Sequence, residues 1–340
     1  MKNIKPISVL LTGASGTVGY EVLKQLMDFP NVNLSVFDKK YPGSIKKLEP
    51  FGKRINLVYG DITNSESIEK IAANQDYIIH LAAIIPPVAD DFPETARLVN
   101  IEGTRNLVKQ LEKSSPNCFF IYSSSISVYG DRLRDPYISV GDPLKPSPGD
   151  EYAVTKIEAE KIIENSSLDW TIFRLAAIMG GHKMSKLMFH QPLDTSLEIA
   201  TPQDTARAFV NAIFKREQLS KRIFNLGGGE SCRIDYKGFL ERSFEIFGLG
   251  KMDFPERAFA EQNFHCGFYK DGDDLENILH FRNHSLHHYF EIERKKFSPL
   301  KRFGASILRK PIKYYLSKQS EPLMALRKND EKMKQQFFSK

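Results

Sequence analysis

The chain has 340 residues, 41% of them apolar, and a net charge of +6 that sits in its last stretch: residues 291–340 hold 14 Lys/Arg against 5 Asp/Glu, residues 1–290 hold 34 against 37. That length suits one large domain with a smaller one, and a basic surplus confined to the end argues against nucleic-acid binding by the main body. Cys118, Cys232 and Cys266 form no CxxC pair, the chain opens on a charged strand-like run, and no segment reaches the roughly 20 apolar residues of a spanning helix; no disulfide framework, cleavable leader or membrane span is expected, and a cytoplasmic protein is.

Residues 7–11 read as a first strand, followed by the turn TGASGTVG at 12–19 and a helix in which Val18, Val22, Leu23 and Leu26 recur at helical spacing. Strands are expected at 32–37, ending on Asp38, and at 55–59, ending on Gly60-Asp61. Thr63 or Asn64 can cap a short helix holding Ile68 and Ile71. A fourth strand covers 77–81, a helix 100–111, a fifth strand 118–123, a helix 152–163 and a sixth strand 170–175. Strands that are nearly continuous apolar runs, alternating with helices, predict a buried parallel sheet: an α/β, Rossmann-like doubly wound fold over residues 1–175. Beyond it, 176–290 is expected to form mainly a smaller C-terminal substrate-binding lobe, with a substrate loop at 182–202 and some elements returning to the first domain, such as a helix at 204–214 and a strand at 222–226. Residues 291–340 are a basic extension.

Gly13, Gly16 and Gly19 lie between a strand and a helix, where glycine admits positive φ and lets a backbone approach a pyrophosphate resting on the helix N-terminus. A plain glycine turn would read the same way, but no Gly-Lys-Ser/Thr follows, which excludes a nucleoside-triphosphate loop. Asp38, 19 residues after Gly19, can accept hydrogen bonds from ribose hydroxyls or be an ordinary turn residue; as a ribose ligand it favours NAD, while Lys39 and Lys40 leave NADP open. Asp61 is placed to meet an adenine edge, and Leu81, Ala82 and Ala83 are small enough to leave a cofactor room.

Tyr152 and Lys156 share a helical face. A phenol is a poor base near neutrality, and a nearby ammonium favours the phenolate. Ser125 lies beyond the fifth strand, where side chains line the ligand crevice of a parallel sheet. The same spacing and the same serines occur on many surfaces and turns.

Taken in order, TGASGTVG at 12–19, Asp38, GDIT at 60–63, DYIIHLAA at 76–83, VNIEGTRNLV around Asn100, SSSISVYG at 123–130, YAVTK at 152–156, FRLAAIMG at 173–180, DTARAFVNAI at 204–213 and FNLGGG at 224–229 resemble the extended short-chain dehydrogenase/reductases of the NAD-dependent epimerase/dehydratase type, over roughly residues 5–290. The resemblance implies a catalytic set of Ser125, Tyr152 and Lys156 supported by Asn100. It implies a cofactor set of Gly13, Ser15, Gly16, Thr17, Gly19, Asp38, Asp61, Ile62, Leu81, Ala82, Ala83 and Lys156. Ser124, Ala176, His182 and Lys183 are the substrate-side candidates, and Phe173–Ala176 are implied beside the nicotinamide. It further implies a homodimer acting on a small molecule, a nucleotide sugar among the options.

Three chemistries stay open: hydride exchange at a C–OH/C=O centre, epimerisation with retained NAD, and non-catalytic dinucleotide binding. Ser125, Ile126 and Ser127 stand where the 4,6-dehydratase branch carries Thr-Asp-Glu, so water elimination lacks its acid and base. Ala177 and Leu175 replace an Asn and a Pro common in sugar-nucleotide epimerases. His280, His284, His287 and His288 have no converging Cys or carboxylate, so no metal site is expected. In the extension, Ile307, Leu308, Ile312, Tyr315 and Leu316 alternate with Arg309, Lys310 and Lys313 around Pro311, which is expected to interrupt a helix. That pattern suits peripheral contact with an anionic membrane or a cover over the enzyme.

Overall fold

The computed structural model describes residues 6–180 and 184–338. Among the described residues twelve strands follow in chain order: β1 (Ile7–Thr12), β2 (Val32–Asp38), β3 (Asn56–Tyr59), β4 (Tyr77–His80), β5 (Phe119–Ser125), β6 (Tyr137–Ile138), β7 (Asp169–Leu175), β8 (Ala177–Ile178), β9 (Ser196–Ala200), β10 (Arg222–Leu226), β11 (Arg233–Asp235) and β12 (Phe268–Tyr269). Seven form one sheet in the order β10-β7-β5-β4-β1-β2-β3, with every adjacent pair parallel. The order turns back at β1, so the carboxyl ends of β1 and β4 open a crevice where parallel sheets bind ligands.

Alternation along each strand builds a core on both faces. Val9 and Leu11 pack with helices Thr17–Leu26 and Pro202–Ala212. Leu10, Ile78 and Phe120 point the other way, onto helices Ser65–Ala72, Thr104–Ser114 and Glu151–Glu164. Both faces are covered by helices, which is why the strands read as unbroken apolar runs. The doubly wound fold is therefore as expected, and β10 is the returning strand.

The smaller lobe holds the three-stranded sheet β11-β9-β8 and a separate core that includes Phe189, Leu197, Phe244 and Phe290. Of residues 232–290, helix Tyr236–Ile246 and the start of Leu286–Lys296 pack in that core, whereas helix Gly272–Leu279 returns to the core of the large sheet through Leu275 and Leu279.

Two expectations need correction. The helix placed at 100–111 starts earlier: helices Val88–Asp91 and Pro93–Arg97 lead into a π-helical turn, Leu98–Gly103, before Thr104–Ser114. The wider turn breaks the 3.6-residue period, so the apolar spacing that marks a helix fails through that stretch. In the extension the break falls at Leu308, between helices Pro299–Ile307 and Arg309–Ser317. Pro311 lies in the first turn of the second helix, where a missing N–H costs no hydrogen bond.

Candidate active site

The glycine loop is shaped by contact. Gly13 has φ of +75°, and a Cβ there would stand 2.6 Å from Ala82 N; a Cβ on Gly19 would stand 2.1 Å from Gly13 O. Any side chain at either position would push β1 from β4 or the helix from its loop. Gly16 is the N-cap of helix Thr17–Leu26 and contributes no side chain to cover the first-turn amides. These amides face a groove of about 420 Å³ lined by Gly13, Ser15, Gly16, Thr17, Asp38, Asp61, Ile62, Leu81, Ala82 and Ala83. All the cofactor-side residues expected from sequence line this groove except Gly19, which acts through packing, and Lys156. Lys39, weighed from sequence only as a partner for an extra phosphate, and Gly60 of the GDIT stretch line it too, together with Phe37, Tyr41, Ile84, Ile85 and Val99, which were not anticipated.

Asp38 is buried at the carboxyl end of β2. Its carboxylate accepts from Ser15 N at 2.7 Å and Ser15 Oγ at 3.0 Å. Burial pushes its pKa up, against those two bonds. Lys39 Nζ donates to Asp61, 3.2 Å distant. Asp61 also accepts from Thr63 N and Oγ1 at 3.0 and 2.7 Å, and the Thr63 backbone bond is the main reason its pKa is lowered. Asn64 rather than Thr63 caps the following helix, accepting from Glu66 N.

Helix Glu151–Glu164 begins with Asp150 as N-cap, accepting from Ala153 N at 2.9 Å, which sets Tyr152 in the first turn and Lys156 one turn on. Arg174 of β7 ties that helix to the sheet through two hydrogen bonds to Glu160, 3.1 and 2.7 Å long, in a buried pair. Lys156 is buried, donates to Ser123 O at 2.7 Å and Tyr122 Oη at 3.3 Å, and lies 5.6 Å from the Tyr152 ring centroid. Tyr152 is half-buried, with the Ser125 hydroxyl near enough to its phenol to favour the charged form. Ser125 Oγ accepts from Ser127 N and Ser127 Oγ at 3.1 and 2.9 Å, so its own proton is available to a phenol or substrate oxygen. Ser124 Oγ is buried with no hydrogen-bond partner among the described residues.

The electrostatics differ from expectation. Burial, with Asp150 adding to it, pushes the Tyr152 phenol above its usual range, and Ser125 opposes this. Burial also pushes the Lys156 ammonium down to about 7, against Glu160. Enclosure disfavours the charged form of both groups, and Ser125 rather than Lys156 is what draws the phenol down.

A chain of hydrogen bonds runs beneath the site. Asn100 Oδ1 accepts from Ile84 N at 2.8 Å, and its Nδ2 donates to Ile84 O and Thr155 Oγ1 at 2.9 and 3.0 Å. Thr155 in turn donates to Tyr152 O at 2.7 Å. Thr104 Oγ1 donates to Asn100 O, so it can only accept from His80 Nε2, 3.0 Å away. His80 Nδ1 then accepts from Thr12 Oγ1 at 2.7 Å. Burial, aided by Lys156, lowers His80 to about 3, which keeps that ring neutral. His80, Thr104 and Thr155 were missed by sequence reasoning, although His80 sits within the quoted DYIIHLAA stretch.

Phe173 is entirely buried, packed against Phe209 and Phe224 in the sheet core, so of the 173–176 stretch it faces away from any ligand. Ala176 is buried at the end of β7, its N–H bonded to Leu226 O. His182 and Lys183 lie outside the described residues. Next to Asp150 and Glu151 a second cavity of about 460 Å³ is lined also by Pro86, Asp90, Lys186, His190, His265, Glu321 and Phe337. The last two come from the basic extension, so part of it covers the enzyme.

Residues 9–194 match the model of the NAD dependent epimerase/dehydratase family. The chain is 24% identical over 264 residues to human 3 beta-hydroxysteroid dehydrogenase type 7, covering 71% of each chain. It is 32% identical over 163 residues to a 3-beta-hydroxysteroid dehydrogenase of Mycolicibacterium neoaurum, and that match spans 46% of this chain and 42% of the relative. Among solved structures it is similar in fold to a mutant UDP-glucuronic acid 4-epimerase of Bacillus cereus in complex with NAD and a fluorinated UDP-sugar, with a TM-score of 0.71, 19% identity, and 85% and 98% of the two chains covered.

Proposed function

From the premise that the chain belongs to the NAD dependent epimerase/dehydratase family, we propose that it transfers hydride at a C–OH/C=O centre of a small-molecule substrate, with Tyr152 as the acid/base. The observation that carries this is the joining of Ser125, Tyr152 and Lys156 at the carboxyl edge of the sheet, linked through Asn100 to the lining of the glycine-loop groove.

The groove fits a dinucleotide: Gly13 lets the backbones of β1 and of Leu81–Ala82 close up beside it, the open helix amides suit a pyrophosphate, and Asp38 retains acceptor capacity for ribose hydroxyls. Lys39 is engaged by Asp61 and the Asp38 carboxylate would repel an extra phosphate, which supports NAD over NADP, while Lys40 stands exposed beside them. Bound there, NAD supplies the hydride acceptor and donor.

Tyr152 takes the proton from a substrate hydroxyl in oxidation and returns it in reduction. Ser125 offers its proton to the same oxygen. Lys156 faces the phenol, and whenever it is protonated it draws the phenol towards its charged form.

Epimerisation with retained NAD is the version of this chemistry that the family description and the fold of the UDP-glucuronic acid 4-epimerase support. An enzyme that exchanges its cofactor each turnover is the second version, supported by the hydroxysteroid dehydrogenase relatives. Purified protein is assayed for bound NAD and then screened with sugar nucleotides and small carbonyl compounds. Stoichiometric retained NAD with activity on a sugar nucleotide is the expected result for the first version, and release at each turnover for the second. Tyr152→Phe is expected to lower turnover by about 100-fold or more; turnover equal to wild type would remove Tyr152 from the chemistry, and no turnover of any substrate by the wild-type chain would leave only a non-catalytic binding role.

A further inference from the structure

Between Arg294 and Ser320 the chain carries nine Lys/Arg and no Asp/Glu. Lys296 pairs with Glu293 and Lys313 with Asp253. The other seven form no ion pair among the described residues. This basic run holds the helices Pro299–Ile307 and Arg309–Ser317. Their inner face is apolar: Ala305, Ile312 and Leu316 pack on the core of the smaller lobe. Their outer face is apolar as well. Leu300, Phe303 and Ile307, at i, i+3 and i+7, share one face, and Leu308, Tyr314 and Tyr315 continue it; these six are 54–79% exposed. Lys301, Arg309, Lys310 and Lys318 are exposed among them.

We infer that this helix pair is a docking surface for an anionic lipid bilayer. An exposed apolar face bordered by unpaired cations matches a layer whose hydrocarbon accepts Leu, Phe and Ile and whose headgroups attract Lys and Arg. Tyr314 and Tyr315 carry the amphipathic rings suited to the boundary between them. A second copy of the chain fits less well, because a two-fold contact would set this basic surface against itself. Nucleic acid would use the charges and leave the aliphatic side chains in water. No helix among the described residues is long and apolar enough to cross a membrane, so the contact lies along the interface. Neither helix lines the groove or the cleft; docking and catalysis are therefore tested separately.

The full chain is floated with phosphatidylcholine vesicles, with and without phosphatidylserine. The expected result is binding to the phosphatidylserine vesicles alone, weakened by salt. Lys301→Gln and Lys310→Gln are each expected to lower the partition coefficient by about fivefold. Phe303→Glu with Ile307→Glu is expected to abolish binding, with turnover and thermal midpoint unchanged because both side chains face solvent. If the glutamate variant proves less stable, the two glutamine variants alone decide the matter. The inference is overturned by no binding, by equal binding to neutral vesicles, or by full binding in the variants. A glutamate variant that only splits a dimer, or a wild-type chain that prefers duplex DNA to vesicles, overturns it too.

Discussion

Burial pushes the Lys156 ammonium down to about 7 although Glu160 draws it upward, so above neutrality the folded chain holds this lysine uncharged while the unfolded chain, with its ordinary value near 10.5, still binds the proton. The unfolded state then binds more protons than the folded one. Stability rises with pH across that window by about 1.4 kcal/mol per unit, and the gain is absent below about pH 7, where both states are charged. Lys156→Met removes this contribution and leaves Ser123 O without its donor. Thermal melts from pH 7 to 10 should show wild type gaining on Lys156→Met as pH rises; parallel curves would mean that Lys156 keeps its proton in the folded protein. The spacing of Tyr152 and Lys156 was legible because a helix has a fixed period. The sign of their pKa shifts was not, because desolvation depends on the strands β4 and β5 and on Tyr122, which close over the lysine from distant parts of the chain.

At the scale of elements, Asn100 bridges the loop after β4 to the helix that carries Tyr152. Its three side-chain hydrogen bonds, two to Ile84 and one to Thr155, are all part-buried or buried. Asn100→Leu deletes them and leaves both backbone groups of Ile84 without these partners, a cost of about 2–4 kcal/mol. Denaturant titration should show that loss. Turnover should fall together with it, because Thr155 bonds directly to Tyr152 O, whereas the glycine loop, held by backbone contacts at Gly13 and Gly19, should still bind NAD. A variant with wild-type midpoint and turnover would remove the bridge from the argument. Asn100 itself could be picked out from its motif. The π-helical turn that points it inward could not, since an irregular turn erases the periodicity by which helices are read. The glycine loop and β1–β5 were legible for the opposite reason: each is local, regular and bounded by turn residues.

Over the whole molecule, the extension divides into two parts that its composition does not distinguish. Residues 299–317 present a basic apolar surface outward, whereas 320–338 fold back over the cleft. Glu321 accepts from His190 Nε2 at 2.7 Å and pairs with Lys186 at 3.3 Å, and the His190 bond is the main reason its pKa is lowered. Phe337 and Phe338 are buried with Ala260 and Ala325, and Ser320 Oγ donates to Ala258 O. The backbone closes the contact: Glu261 N donates to Phe337 O at 2.7 Å, and Gln262 and Asn263 donate from their side chains to the carbonyls of Gln335 and Gln336. Ending the chain after Lys318 removes all of these partners at once. Hydrogen exchange should then speed up at the Glu261 amide and along 258–265, while the strand β1 amides, whose partners lie in β2 and β4, keep their protection. The opposite result, protection at Glu261 unchanged, would mean that another segment holds this wall. Lysines and phenylalanines mixed along a chain end suit a lipid surface and a cleft wall equally well, and only their partners in the other lobe decide which each one serves.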